Sequence, residues 1–205
     1  MTGLAAVSTP RGVTILLPMP DTPTPAETLR ERTRDCHDAV EAHVRVSEQL
    51  GERERYAELL AFFARTLAPV EAWLEGHDAP GANPQGGVAM LHADLRAVGR
   101  EPADQAAAFE PGPRGEAAAL GVMYVVEGSA LGGQMIARDA EKNLGVTPDR
   151  GASFFARGGA DGMAGWRRFK AHLNERLDTP EKTEAAVGAA RATFGHFIEM
   201  AKELP

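Results

Sequence analysis

The chain has few cysteines, no long apolar runs and no nucleotide-binding motif. Its 205 residues include one cysteine, Cys36, so an intrachain disulfide and zinc sites with two or more cysteine ligands are excluded. The longest apolar run near the start, residues 13–17, is too short to span a bilayer or to act as a signal peptide. No G-x-G-x-x-G or P-loop sequence occurs. These absences predict a cytoplasmic protein that binds no membrane and no nucleotide of its own.

Positive charge is also scarce. The 22 lysines and arginines are outnumbered by 29 acidic residues, which gives a net charge of −7 and an isoelectric point near 5.4. Nucleic acid would meet no overall attractive field, so a site for an anionic ligand must be a local patch. With 43% hydrophobic and 25% charged residues, the composition is that of an ordinary globular protein whose length suits one hydrophobic core.

Alternating strand patterns are nearly absent, whereas apolar residues at helical spacing recur along the chain. Thr24-Pro25-Ala26-Glu27 predicts the first helix, because threonine can cap it, proline suits its first turn and glutamate can complete a capping box. The apolar stripe of that helix consists of Leu29, Thr33, Cys36, His37, Val40 and Val44. Further helices are predicted over residues 52–74, 84–98, 102–109, 114–144, 163–177 and 180–204.

These patterns predict an all-α single domain of about six to eight helices over residues 23–205. The preceding residues 1–22 show no periodicity, and their prolines oppose a regular element, so a disordered leader is expected there. Either Met1 or Met19 can be the start of the natural chain.

The predicted helix over residues 114–144 is rich in glycine where a helix should avoid it. It holds Gly121, Gly128, Gly132 and Gly133. Each glycine costs about 1 kcal/mol relative to alanine in a helix interior, so the four together cost about 4 kcal/mol. Two explanations are consistent with them. Either the glycines let a neighbouring helix approach closely, or they leave a flat face for a planar ligand.

His37 is the second informative residue, because it falls on the apolar stripe of the first helix. Glu41 follows it by one helical turn, and Arg34 and Arg30 precede it by three and seven residues. A histidine in this position can be a buried core residue. It can also be a metal ligand whose second ring nitrogen is held by the carboxylate one turn away.

Three segments resemble a known family, the biliverdin-producing haem oxygenases. Residues 29–41 are similar to the proximal-helix motif of that family, and residues 124–136 are similar to its glycine-rich distal helix in bacterial form. Residues 166–170, followed by Thr179-Pro180 and residues 192–197, are similar to the family's last helices. The resemblance covers residues 24–204 and implies a helical, haem oxygenase-like bundle.

The resemblance also implies an activity and a set of site residues. It implies oxidative cleavage of haem, as both substrate and prosthetic group, to biliverdin by O₂ with release of iron and carbon monoxide. His37 corresponds to the iron ligand, with Glu41 as its partner, and Gly128 and Gly132 correspond to the distal glycines beside O₂. The further contacts implied are Arg30, Arg34 and Lys170 at the haem propionates, and Tyr124, Gly133, Phe194 and Phe197 in the pocket.

Two positions depart from the mammalian pattern of that family. Ser129 stands where the mammalian pattern has an aspartate, and Asn174 stands where it has an arginine. A serine can hold water by hydrogen bonds but carries no charge, so the group that anchors the proton relay stays open. The arginine contact to a propionate is expected to be lost.

The resemblance also implies partner proteins, because the chain has no nucleotide-binding motif of its own. Electrons are expected from a ferredoxin, a flavodoxin or a flavin reductase, and the product is expected to serve a bilin-accepting photoreceptor or iron recovery. One alternative is a haem-binding or carrier protein without turnover, which the Ser129 departure favours. A weaker alternative is a histidine phosphotransfer module, which requires an exposed His37, whereas the apolar stripe predicts that His37 faces the core.

Overall fold

The computed structural model describes residues 22–75, 86–103 and 108–204, together with the backbone of residues 4–8 and 14–18. The predicted all-α architecture is confirmed. The helices are α1 Pro25–Arg32, α2 Arg34–Val44, α3 Val46–Gln49, α4 Arg53–Glu75, α5 Gly87–Ala97, α6 Glu116–Leu144, α7 Ser153–Ala156, α8 Gly162–Arg176 and α9 Pro180–Ala201. Among these helices, none combines the length and the hydrophobicity of a transmembrane span. The described residues hold more helices than predicted, because the first predicted helix is divided into α1 and α2 and because α3 and α7 are each a single turn, too short to show a period.

The expected absence of regular structure in residues 1–22 is wrong for two short segments. Strand β1, Leu4–Ser8, pairs antiparallel with β2, Thr14–Pro18, with Leu4 opposite Pro18 and Ser8 opposite Thr14. A two-stranded ribbon has only edge strands, where a proline is tolerated, and β2 is rich in β-branched and apolar residues. The division of the chain at residue 22 remains a prediction.

One predicted helix is not confirmed. Residues 101–103 and 108–110 are not helical, and residues 104–107 of the predicted segment lie outside the described part of the chain. Eight residues between prolines form a helix too short to be stable without tertiary packing. Phe109 is instead buried beside Trp73 of α4 and His196 of α9, with ring centroids 6.0 Å and 5.3 Å away.

The core is formed mainly by α4, α6 and α9 and by the short helix α7. Gly121 of α6 and Ala186 of α9 mark the closest approach, since a Cβ built on Gly121 would overlap the main chain of Ala186. The largest fully buried side chains are Tyr56, Phe62, Phe154, Phe155, Leu29, Leu59, Leu60, Leu67, Leu91, Leu95, Leu120 and Met123. The bundle therefore closes around α6, which runs through it for 29 residues.

The first predicted helix is interrupted at Thr33, where φ is −119° and ψ is 3°. The buried Thr33 hydroxyl donates to the Leu29 carbonyl at 2.8 Å. Arg191 of α9 holds the interruption from outside, donating to the Arg32 carbonyl at 2.6 Å and to both Asp35 carboxylate oxygens at 2.8 and 2.9 Å. The hydrogen bond from Arg191 lowers the pKa of Asp35 to about 2. These contacts set the direction of α2.

Helix α7 is anchored by a buried carboxylate from α5. Asp94 Oδ1 accepts from the Ser153 N–H at 2.9 Å and from its hydroxyl at 2.8 Å, and Oδ2 accepts from the Phe154 N–H at 2.8 Å. The first N–H groups of a helix have no partner within it, so an acceptor from elsewhere in the fold must satisfy them. Asp94 thereby fixes where α7 begins.

Asp94→Ala should lower the free energy of unfolding by about 2 to 3 kcal/mol, because buried N–H groups lose their acceptor. Asp94→Asn keeps one acceptor oxygen and should cost less. Urea unfolding followed by circular dichroism measures both, with the exposed Asp139→Ala on α6 as the control, expected within about 0.5 kcal/mol of the parent. Equal stability of Asp94→Ala and Asp139→Ala would contradict the anchoring role.

Candidate functional site

A cavity of about 430 Å³ lies between α1–α2 on one side and α6 on the other. Residues of α9 and Trp166 of α8 also line it. The lining residues are Arg30, Thr33, Arg34, His37, Val40, Glu41, Val44, Val46, Phe63, Tyr124, Val125, Gly128, Ser129, Leu131, Gly132, Ile136, Trp166, Phe194 and Phe197. The structure thus brings together at one cavity most of the residues that the sequence indicated in three separate segments.

His37 faces this cavity from α2. Its side chain is 58% exposed, so the prediction that it faces the packed core is wrong. An apolar stripe has the same spacing whether it covers a core or lines an apolar cavity, and the sequence pattern cannot separate the two. The ring stands edge-on to buried Phe194, with centroids 6.1 Å apart.

The two ring nitrogens of His37 have different surroundings. Nδ1 lies 3.8 Å from Glu41 Oε1 and 4.0 Å from Asp38 Oδ1. A carboxylate beside Nδ1 favours the tautomer with a proton on that nitrogen and leaves Nε2 unprotonated for a metal. The ligand atoms of His37, Asp38 and Glu41 also lie within 4.8 Å of one another, which would suit a bare metal ion. The apolar cavity alongside favours an organic group.

The four glycines of α6 divide into two pairs with different roles. Gly128 and Gly132 line the cavity, where a Cβ on Gly132 would meet nothing within 4 Å and one on Gly128 only Trp166 at 3.7 Å. Gly121 and Gly133 are buried packing positions. Close packing therefore accounts for Gly121 and Gly133, whereas Gly128 and Gly132 leave an open face on the cavity, as the ligand explanation requires.

The prediction that Gly133 lies in the pocket is wrong. This glycine is absent from the cavity lining, and a Cβ there would lie 2.7 Å from the carbonyl oxygen of Phe155 in α7. The residue next to Gly132 points about 100° away around the helix, so the two adjacent glycines face different surroundings. Gly133 brings α6 against α7 and does not face the cavity.

Ser129, at the position of the missing aspartate, is half-buried and lines the cavity. Its hydroxyl donates to the Val126 carbonyl at 2.7 Å. It accepts from Nη2 of Arg157 at 2.8 Å, and the same nitrogen lies 3.3 Å from the Val126 carbonyl. Arg157, the residue directly after α7, therefore places a positive charge next to the serine hydroxyl.

Arg157 lies in a second cavity of about 370 Å³ on the far side of α6. Glu71 and Glu127 also line it. Burial lowers the pKa of Arg157 to about 10, although both carboxylates oppose this effect, and burial raises the pKa of each carboxylate. Sequence reasoning missed Arg157, because it lies between two helices and belongs to no periodic pattern.

The cationic side chains gather at one edge of the main cavity. Arg30 and Arg34 line it, whereas Lys170 does not. Lys170 lines an adjoining surface pocket, and Arg30, Tyr124 and Trp166 are common to both. Lys170 therefore lies one pocket away from the residues with which it was grouped, with its Nζ 5.9 Å from the Trp166 ring centroid.

The remaining predicted residues form the walls. Phe194 and Phe197 are buried on α9, and Tyr124 is half-buried on α6. Burial raises the pKa of Tyr124, and a hydrogen bond with Thr33 opposes that rise, which links α6 to the α1–α2 junction. Asn174 has a role that the sequence did not indicate, since its Oδ1 accepts from the Ala26 N–H at 2.9 Å and ties α8 to the start of α1.

Sequence comparisons give matches to known proteins. The Heme oxygenase family model matches residues 93–203. A heme oxygenase of Xanthomonas campestris pv. campestris (strain 8004) is 38% identical over 149 residues, which cover 70% of this chain and 87% of that protein.

Solved structures of the same fold are similar along most of the chain. The NO- and CO-bound heme oxygenase of Neisseria meningitidis has a TM-score of 0.78 at 25% identity, covering 89% of this chain and 92% of the other. The heme oxygenase of Leptospira interrogans has a TM-score of 0.68 at 18% identity, covering 89% and 100%, and shows the fold alone. With a family match over more than half its length and a relative 38% identical, the chain belongs to the haem oxygenase family.

Proposed function

We propose that the protein binds haem in the main cavity and cleaves it oxidatively to biliverdin, with O₂ as oxidant and release of iron and carbon monoxide. The observation that carries this proposal is the pairing of His37 on α2 with Gly128 and Gly132 on α6 across one apolar cavity. A member of the haem oxygenase family is a haem-degrading enzyme, and this pairing supplies the two faces that such an enzyme requires.

The residues present fit haem. The walls are apolar, as the macrocycle requires, and the arginines at one edge match its two propionates. The histidine has its Nδ1 beside carboxylates, which is the arrangement of an iron-binding imidazole. The open space at Gly132 accepts a flat ligand that any larger side chain would obstruct.

Each residue of the cavity named here would then have a defined role. Nε2 of His37 would hold the iron, and Glu41 would fix the imidazole tautomer. Gly128 and Gly132 would leave room for O₂, and the Ser129 hydroxyl would bind water beside it. When bound, haem supplies the iron at which O₂ reacts and the porphyrin carbon that is oxidised. Arg30 and Arg34 would orient the porphyrin by its propionates.

The alternatives are less well supported. A haem carrier has no need of the open space that Gly128 and Gly132 leave on α6. For the phosphotransfer module, the exposure of His37 removes the argument based on burial. Asp38 and Glu41 beside Nδ1 nevertheless disfavour a phosphoryl group there, because like charges repel.

The proposal includes external partners. A ferredoxin, flavodoxin or flavin reductase delivers electrons one at a time, because no nucleotide-binding motif occurs in the sequence. Biliverdin then passes to a bilin-accepting photoreceptor, or the freed iron is the useful product.

His37→Ala should abolish turnover and change the Soret band of the haem complex, because the iron loses its imidazole ligand. Added imidazole should restore both in part. His43→Ala is the matched control, since His43 lies exposed on the same helix, outside the cavity lining, with Nδ1 2.7 Å from the Ala39 carbonyl. A His37→Ala complex with the parent Soret band and turnover would rule out His37 as the ligand.

The two adjacent glycines should respond in opposite ways. Gly132→Leu should keep the stability of the parent and lower turnover by about tenfold or more, because its side chain enters the cavity beside the ligand. Gly133→Ala should lower the free energy of unfolding by about 1 to 3 kcal/mol, because its Cβ meets the Phe155 main chain. Urea unfolding and chromatographic assay of biliverdin measure the two effects. Normal turnover in Gly132→Leu would show that α6 does not face the ligand.

The cationic edge should control which porphyrin carbon is oxidised. The resemblance implies the IXα isomer for the parent, and Arg30→Glu with Arg34→Glu, at the two arginines that line the cavity, should give a mixture of isomers because the propionates lose their fixed position. Arg30→Ala alone should weaken haem binding only a few-fold, since a partly exposed ion pair contributes about 0.2 to 1 kcal/mol. Chromatography identifies the isomers, with the exposed Lys142→Glu as the charge control. One unchanged isomer from the double variant would assign the propionates to other residues.

A further inference from the structure

The hydroxyl of Ser129 accepts a hydrogen bond from Arg157, and the position of this cation is itself fixed by other contacts. Arg157 Nη2 donates to Ser129 Oγ at 2.8 Å. Its Nη1 donates to the Phe154 carbonyl at 2.9 Å, and its guanidinium carbon lies 3.9 Å from the centre of the Phe154 ring. The Phe154 N–H is bonded to Asp94. The guanidinium therefore has a defined position relative to the serine.

The hydrogen-bonding capacity of the two groups decides which way the serine proton can point. A guanidinium has only donors, so Ser129 must accept from Arg157 and cannot donate to it. The single hydroxyl proton of Ser129 then points either to the Val126 carbonyl, as in this structure, or into the cavity. Because Arg157 Nη2 also lies 3.3 Å from the Val126 carbonyl, that oxygen keeps a donor when the serine proton turns away.

We propose that Arg157 is a positioning residue that makes Ser129 a hydrogen-bond donor toward the ligand side of the main cavity. The inference rests on the proposed binding of haem by His37, which directs the opposite face of the haem to α6. An ionised aspartate at this position would only accept hydrogen bonds. The pair of Ser129 and Arg157 instead presents a donor backed by a positive charge, so the polarity on this side of the ligand is reversed.

The charges around Arg157 belong to the second cavity and not to the first. Glu71 and Glu127 line it together with Arg157, and none of the three lines the main cavity. Arg157 is instead hydrogen-bonded to Ser129, which does line the main cavity. Arg157 should therefore act on a ligand chiefly through Ser129.

Fluoride binding to the ferric haem complex of the full chain tests the inference, because fluoride accepts hydrogen bonds and donates none. Titration at fixed pH, followed by visible absorption, gives its dissociation constant. Ser129→Ala should weaken fluoride binding by about tenfold, as expected for the loss of one hydrogen bond to a charged group. Arg157→Met should weaken it to a similar extent, and Arg157→Lys should restore part of the loss. The double variant should be no weaker than Ser129→Ala, because both changes remove the same interaction.

Arg168→Met is the matched control. Arg168 is an exposed cation of the second cavity and makes no hydrogen bond to Ser129 among those described, so its removal should leave fluoride affinity unchanged. A parent protein that forms no haem complex would refute the proposed function itself. A haem complex in which Ser129→Ala binds fluoride as tightly as the parent would overturn the inference alone. Equal weakening by Arg157→Met with and without Ser129 would also overturn it, because Arg157 would then act independently of the serine.

Discussion

Helix α6 approaches α9 and α7 so closely that two of its positions have no room for a side chain beyond hydrogen. Gly121 meets the main chain of Ala186, and Gly133 meets that of Phe155. These contacts fix the position of α6 in the bundle. The opposite face of α6 is free to form the wall of the main cavity. A larger side chain at either contact would move the whole wall, since cores are packed too tightly to absorb it. The two glycines that line the cavity thus depend on two others that lie outside its lining.

A second line of contacts connects the core to the polar part of the site. Asp94 of α5 determines where α7 starts, the Phe154 carbonyl and ring of α7 hold Arg157, and Arg157 holds Ser129. On the other side of the cavity, the Arg191–Asp35 pair and the turn at Thr33 orient α2 and hence His37. Both faces of the cavity are therefore positioned by groups that lie outside it, which is how a site gains precision from rigid elements.

The features predicted correctly are those that a local sequence pattern encodes. The capping box at Thr24 is present as predicted, α9 starts at Pro180, and α6 ends at Leu144. His37, Gly128 and Gly132, each an unusual residue in a periodic element, line one cavity in the structure. The segments that resemble the family brought them into one site.

What the sequence could not predict depends on distant partners. The turn at Thr33 is stabilised by Arg191, which is 156 residues away from Asp35 in the chain. Arg157 follows a helix of four residues and shows no periodicity, so only the fold reveals its contact with Ser129. His37 was expected in the core because a cavity wall and a core face share one pattern. Long-range pairing and cavities leave no local signal.

A crystal structure of the ferric haem complex would locate the haem and its iron ligand. We expect haem in the cavity between α2 and α6, with Nε2 of His37 on the iron, the propionates at the Arg30 edge, and Gly128, Ser129 and Gly132 on the opposite face. Iron bound by any other side chain, or haem outside this cavity, would contradict this expectation.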